Sequence, residues 1–125
     1  MKKIITSLFI LSLFISTQLM AGSVSRSQFT SAIVDREPVD LIETLSTDNT
    51  NIIFFTELTE LQGQTVTHQW LYNDVVMFEK SFDVGGARWR VWTSKSLQPG
   101  WSGTWTVNVL DGERNVILSQ SFEYQ

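Results

Sequence analysis

The sequence predicts an all-β fold: a seven-stranded immunoglobulin-like β-sandwich preceded by a cleavable signal peptide. Three observations predict it. Beyond residue 25 apolar side chains recur with period 2 almost throughout, as in half-buried strands. Turn residues punctuate these runs at Gly63, Asn73-Asp74, Gly85-Gly86, Pro99-Gly100 and Asp111-Gly112. No segment of the mature part has a strong helical period, and short strands at regular spacing indicate a sandwich or barrel.

The chain opens "MKKIITSLFILSLFISTQLMAGS". Lys2 and Lys3 precede an apolar run from Ile4 to Ile15, and small residues follow at Ala21, Gly22 and Ser23. A basic start, about a dozen apolar residues and small residues at the end are the marks of a secretory signal, so residues 1–21 are expected to be removed. The run is shorter than the ~18 residues needed to span a bilayer. Residues 22–125 then form one domain, periplasmic or secreted, with no membrane span once the signal is gone.

The strands are read in order. "RSQFTSAIVD" (26–35) alternates Phe29, Ser31 and Ile33 with Thr30, Ala32 and Val34. "REPVDLIETLSTDNT" (36–50) breaks the pattern at Pro38, with room for a single helical turn around Leu41 to Leu45. "NIIFFTEL" (51–58) is apolar on both faces, as in a strand covered on both sides. "TVTHQWLYN" (65–73) places Val66, His68, Trp70 and Tyr72 on one face. Asn73-Asp74 makes a tight turn into "VVMFEKSFDV" (75–84), with Val76, Phe78, Phe82 and Val84 inward and Lys80 among them. After Gly85-Gly86 comes "RWRVWTSK", and after a wide loop "TWTVNVLD" (104–111) points Trp105, Val107 and Val109 one way. Asp111-Gly112 favours a tight hairpin turn into "NVILSQSFEY" (115–124), with Val116, Leu118, Phe122 and Tyr124 on one face. Trp70 and Trp105 are expected in the core, on facing sheets.

Composition excludes several functions. There is no cysteine, hence no thiol catalysis, disulfide or thiolate metal site. Beyond the signal, seven basic residues stand against thirteen acidic ones, the wrong sign for nucleic acid. His68 is the single histidine and lies among Val66, Trp70 and Tyr72, so it reads as a hydrogen-bonded core histidine and cannot build a zinc site alone. No nucleophile elbow, P-loop or His-Glu-x-x-His occurs. The carboxylate pairs Glu57/Glu60 and Asp111/Glu113 read as solvated loop charge, and "DREPVD" lacks the spacing of a calcium loop. No catalytic residue, metal or cofactor is expected.

The stretch that does call for a function is "RWRVWTSK" (88–95). Strand parity puts Arg88, Arg90, Trp92 and Ser94 on one face and Trp89, Val91, Thr93 and Lys95 on the other. The plain reading is the outer face of a strand, with arginine stems packed on an indole. The functional reading is a platform of two guanidiniums and an indole for an anionic group, bordered by Trp101 in the loop that follows.

"QFTSAIVDREPVD", "FFTEL", "TVTHQW", "VGGARWRVWTSK" and "GTWTVNV" together resemble the bacterial domain-of-unknown-function 2914 family. The resemblance implies a small exported or membrane-attached β-domain and implies no activity. The sequence as a whole is read as a non-catalytic exported binding module for another envelope component, a protein or an anionic glycan, through Arg88, Arg90, Trp92 and Trp101. The alternative is a purely structural accessory domain of an envelope assembly; an enzyme of unknown reaction comes third.

Overall fold

The structure, a computed structural model, describes residues 22–125, so the expected signal peptide at 1–21 lies outside the described residues. Ten strands follow one another: β1 (Ser23–Thr30), β2 (Ile33–Val34), β3 (Glu37–Pro38), β4 (Thr44–Leu45), β5 (Asn51–Thr59), β6 (Thr65–Tyr72), β7 (Val75–Asp83), β8 (Arg88–Ser96), β9 (Gly103–Leu110) and β10 (Val116–Tyr124). They form a three-stranded sheet in the order β1-β5-β8, a five-stranded sheet in the order β4-β10-β9-β6-β7, and the small hairpin β2-β3. All neighbours are antiparallel except β4, which runs parallel to β10. Among the described residues no helix is long and apolar enough to cross a membrane.

The two larger sheets pack face to face. Phe29, Ile52, Phe54, Leu58 and Val91 come from the first, and Val66, Trp70, Trp105, Val107, Val109, Phe122 and Tyr124 from the second. Aromatic edges interlock across the gap: the Phe29 ring lies 4.8 Å from Phe122 and 5.9 Å from Trp70, both edge-on. Phe54 meets His68 in the same way at 5.1 Å. Trp70 and Trp105 are both fully buried, but β6 and β9 belong to one sheet, so the expectation of facing sheets is corrected. Phe29 meets Trp70 from the opposite sheet, whereas Trp105 stacks on Tyr72 and Phe122 of its own sheet.

The sequence count of seven strands meets seven of eight or nine residues, plus three two-residue strands within 33–45. No helical turn forms at 41–45: Ile42 bridges to Phe29, and Leu45 joins Tyr124 of β10. The run 26–35 is not one strand. It ends at Thr30, and Asp35 and Arg36, with φ of 54° and 65°, turn the chain back into the β2-β3 hairpin. Two non-glycine residues in the left-handed region cost conformational energy, which is why the turn is silent in the sequence.

Two β-bulges account for the other departures. The β6-β7 register slips between Trp70 and Leu71, so Phe78 pairs with Trp70 but Val76 pairs with Leu71. One extra residue reverses the parity of the strand. Val76, expected inward, is 48% exposed. Phe78 keeps core parity yet is also exposed, because β7 is the edge of its sheet and the three-stranded sheet facing it is narrower. A second slip, between Val116 and Leu118, leaves Val116 outside the core. The turn before it is wider than expected: Asp111 N–H donates to the Asn115 carbonyl, and Arg114, not Gly112, takes the positive φ.

Candidate functional site

Among the described residues, the outer face of the β1-β5-β8 sheet is covered by no further sheet, only by the β2-β3 hairpin. Register puts Arg26, Glu57 and Arg90 in one cross-strand row, and Gln28, Phe55 and Trp92 in the next. Phe55 is fully buried although it points away from the sandwich. Its ring stacks near-parallel on Trp92 at 6.5 Å, and the Arg26 guanidinium lies 5.1 Å from its centroid. This cover satisfies the sequence's demand that 51–58 be apolar on both faces, without a second layer of structure.

Above these rings runs a chain of five charges. Arg26 donates both terminal nitrogens to Glu37, at 2.8 Å each, and one of them also to Glu57 at 2.9 Å. Arg88 pairs with Glu57 at 3.0 Å, and Arg90 with Glu37 at 2.5 Å. The order is Arg88–Glu57–Arg26–Glu37–Arg90, three cations against two carboxylates. The guanidiniums hold both carboxyls far below the usual range, at about 2: Arg26 then Arg90 act on Glu37, and Arg88 then Arg26 on Glu57. Arg26 is shifted upward by the same two carboxylates.

Of the residues chosen from sequence, Arg88, Arg90 and Trp92 share this face. Arg88 is exposed, whereas Arg90 and Trp92 are half-buried, and both arginines are already paired with carboxylates. Trp101 does not border the row. It packs on the core side, 5.9 Å from Trp105, whose indole N–H donates to the Trp101 carbonyl at 2.9 Å. Lys95, of inner parity, lies 5.2 Å from the Trp101 ring. Sequence reasoning missed Arg26, Glu37, Phe55 and Glu57. The outward parity of Ile53, Phe55 and Glu57 along β5 was a usable signal; the hairpin that delivers Glu37 was not.

His68 lies between the sheets with no solvent exposure. Its Nδ1 is 2.9 Å from Thr93 Oγ1 and its Nε2 is 2.9 Å from Thr56 Oγ1. Burial alone pushes its pKa down to about 3. No carboxylate is among its hydrogen-bond partners. Two of the other carboxylates considered are engaged too. Asp40 accepts from Thr30 and from Ser31, and Asp111 Oδ1 accepts the backbone N–H groups of Glu113 and Asn115. Among the described residues no group of three or more His, Asp or Glu could hold a metal ion. A shallow depression of about 450 Å³ on the far sheet, between the Asn73-Asp74 turn and Thr104 and Thr106, contains none of the residues chosen from sequence.

Fold and surface together define a small β-sandwich domain that carries a charged, aromatic outer face on its narrower sheet. The chain belongs to the family described as "Protein of unknown function (DUF2914)", whose model matches residues 63–124. The match takes in β6 to β10, and with them Arg88, Arg90 and Trp92; β1 to β5, with Arg26, Glu37 and Glu57, precede it. No curated protein matches the chain.

Proposed function

We propose that this is an exported, non-catalytic binding module that recognises another envelope protein through the outer face of β1-β5-β8 and the adjoining hairpin. The observation that carries this reading is the company the charges keep. Arg26, Arg36, Arg88 and Arg90, four of the domain's seven basic residues, collect here. Beside them the hairpin and the residues after it hold three bare aliphatic side chains, Val34 at 57% exposure, Val39 at 50% and Leu41 at 63%. Arginine and tryptophan next to exposed aliphatic groups make the composition of a protein-binding hot spot. An anionic glycan fits less well, because it offers no apolar surface to cover Val34, Val39 and Leu41.

The sandwich reads as immunoglobulin type. A strand pairing first in the narrow sheet, then a short strand crossing to run beside the last one, and two narrow-sheet strands facing four in the other, match the order of that fold. Export places the domain in the periplasm or outside the cell, with the mature chain starting near Gly22. Mass spectrometry of the exported protein should find that start; full-length chain in the membrane fraction would contradict it.

The binding reading is tested by capture. The tagged protein should retain an envelope protein, and Val34→Ser combined with Leu41→Ser should lose it while the melting curve stays in place. Salt should weaken capture by the wild type. Retention by the double variant equal to that of the wild type would refute the surface.

A further inference from the structure

We infer that Arg26 and Arg90 form a seat for a carboxylate, that Glu37 occupies it as an internal stand-in, and that a carboxylate of the partner protein displaces Glu37 and swings the hairpin tip outward. This rests on the binding surface proposed above and adds to it the chemistry of the partner and a conformational step.

The hairpin is anchored unequally at its two ends. At the neck, Asp40 accepts from Thr30 Oγ1 at 2.6 Å, from Ser31 N–H at 2.8 Å and from Ser31 Oγ at 2.6 Å. Val39 N–H donates to the Ala32 carbonyl, and Ile42 N–H to Phe29. Toward the tip, β2 and β3 pair only with one another, through Ile33–Pro38 and Val34–Glu37. The tip is tied to the sheet by the two ion pairs of Glu37 and one long bond, 3.4 Å, from Arg90 to the Arg36 carbonyl.

The seat itself belongs to the sheet. Arg26 stays fixed without Glu37, because Glu57 still accepts from it at 2.9 Å and the Phe55 ring lies beneath it. Arg90 lies in the same cross-strand row, on β8, and among the described residues has Glu37 as its one carboxylate partner. Two guanidiniums held about one carboxylate present planar, bidentate donor geometry that suits the acceptor oxygens of a side-chain or terminal carboxylate. When Glu37 leaves, Val34, directly opposite it in the hairpin, leaves with it. A binding-competent state populated only in part weakens apparent affinity by that fraction, so removing the internal occupant must tighten binding.

The test needs no knowledge of the partner. The probe is the blocked peptide acetyl-Gly-Glu-Gly-amide, titrated into the purified protein while the Nε–H resonances of Arg26 and Arg90 are followed by NMR. Glu37→Gln should bind it at least about tenfold more tightly than the wild type. Glu37→Gln with Arg90→Gln should return to the weak binding of the wild type. A folded Glu37→Gln protein that titrates like the wild type overturns the proposal, as does binding of inorganic phosphate at equal ionic strength as tight as that of the peptide. If Glu37→Gln fails to fold, the wild type decides. Saturating peptide should speed amide exchange at Val34 and Glu37 and leave Ser31, held by Asp40, unchanged. Unchanged exchange at all three would overturn it. These outcomes are independent of whether an envelope protein is captured.

Discussion

The indole N–H of Trp70 donates across the sandwich to Thr93 Oγ1 at 2.9 Å, joining the wide sheet to the narrow one through a polar bond inside the core. It starts a chain with one consistent direction. Thr56 Oγ1 donates to the Val91 carbonyl at 3.4 Å, so it accepts from His68 Nε2–H; Nδ1 then accepts from the Thr93 hydroxyl, which accepts from Trp70. The reverse tautomer would leave the Thr93 hydroxyl hydrogen without an acceptor. No buried side-chain nitrogen or oxygen of the described residues lacks a partner.

Breaking this chain should be costly. His68→Ala removes one partner from each of two buried hydroxyls and leaves a cavity, an expected loss of about 2–4 kcal/mol. His68→Gln keeps one bond and should lose less. Urea denaturation of both variants checks the order; equal midpoints for all three proteins would contradict the chain.

Acid should unfold the domain through the same residue. His68 is neutral when folded, with a pKa near 3 against 6.5 when unfolded, so below pH 6.5 the unfolded chain binds the extra proton. Stability is therefore full above 6.5 and falls toward pH 3, by roughly 1.4 kcal/mol per pH unit. Glu37 and Glu57 act in the same direction but lower, since their stabilisation is present above about 4.5 and lost toward 2. Between pH 6.5 and 5 the slope should belong to His68 alone. Measuring stability across that interval in the wild type and in His68→Gln should show the slope vanish in the variant.

Trp70→Ala and Trp105→Ala should each cost roughly 3–5 kcal/mol, a large share of the stability of a domain this size. Because the two lie on one sheet and are bridged by Phe29 and Phe122, the double variant should deviate from additivity. Thermal melts of the cycle provide the check; two unchanged melting temperatures would mean that neither ring is in the core.

The two arginines of β8 should separate. Arg88 is 63% exposed in its side chain and pairs with Glu57 alone, so Arg88→Gln should change stability by no more than about 0.5 kcal/mol. Arg90→Gln should be almost as mild globally, yet raise amide exchange in residues 33–37. Equal exchange in the two variants would show that Arg90 does not hold the hairpin.

Strand faces were legible wherever the pairing is regular: Val66, His68, Trp70 and Tyr72 follow parity, as do Trp105, Val107 and Val109. Parity failed at Val76 and Val116 because a bulge adds one residue, and no residue type announces a bulge. The Arg–Glu chain was half legible. Arg88 and Arg90 stand out in a short basic stretch, but their partners come from positions 31 to 53 residues distant and depend on the β1-β5-β8 register. The placement of Trp101 was misread because a loop carries no parity.

The clasp at Asp40 has a consequence for how this domain can change. One carboxylate holds residues 30 and 31 beside residue 40, so the segment between them leaves and rejoins the sandwich at a single point. Lengthening such an excursion costs only a logarithmic increment of closure entropy, and no core side chain has to move. The tip is therefore an exchangeable cassette: a different sequence spliced between Ser31 and Asp40 should change what the narrow sheet displays and leave the fold in place.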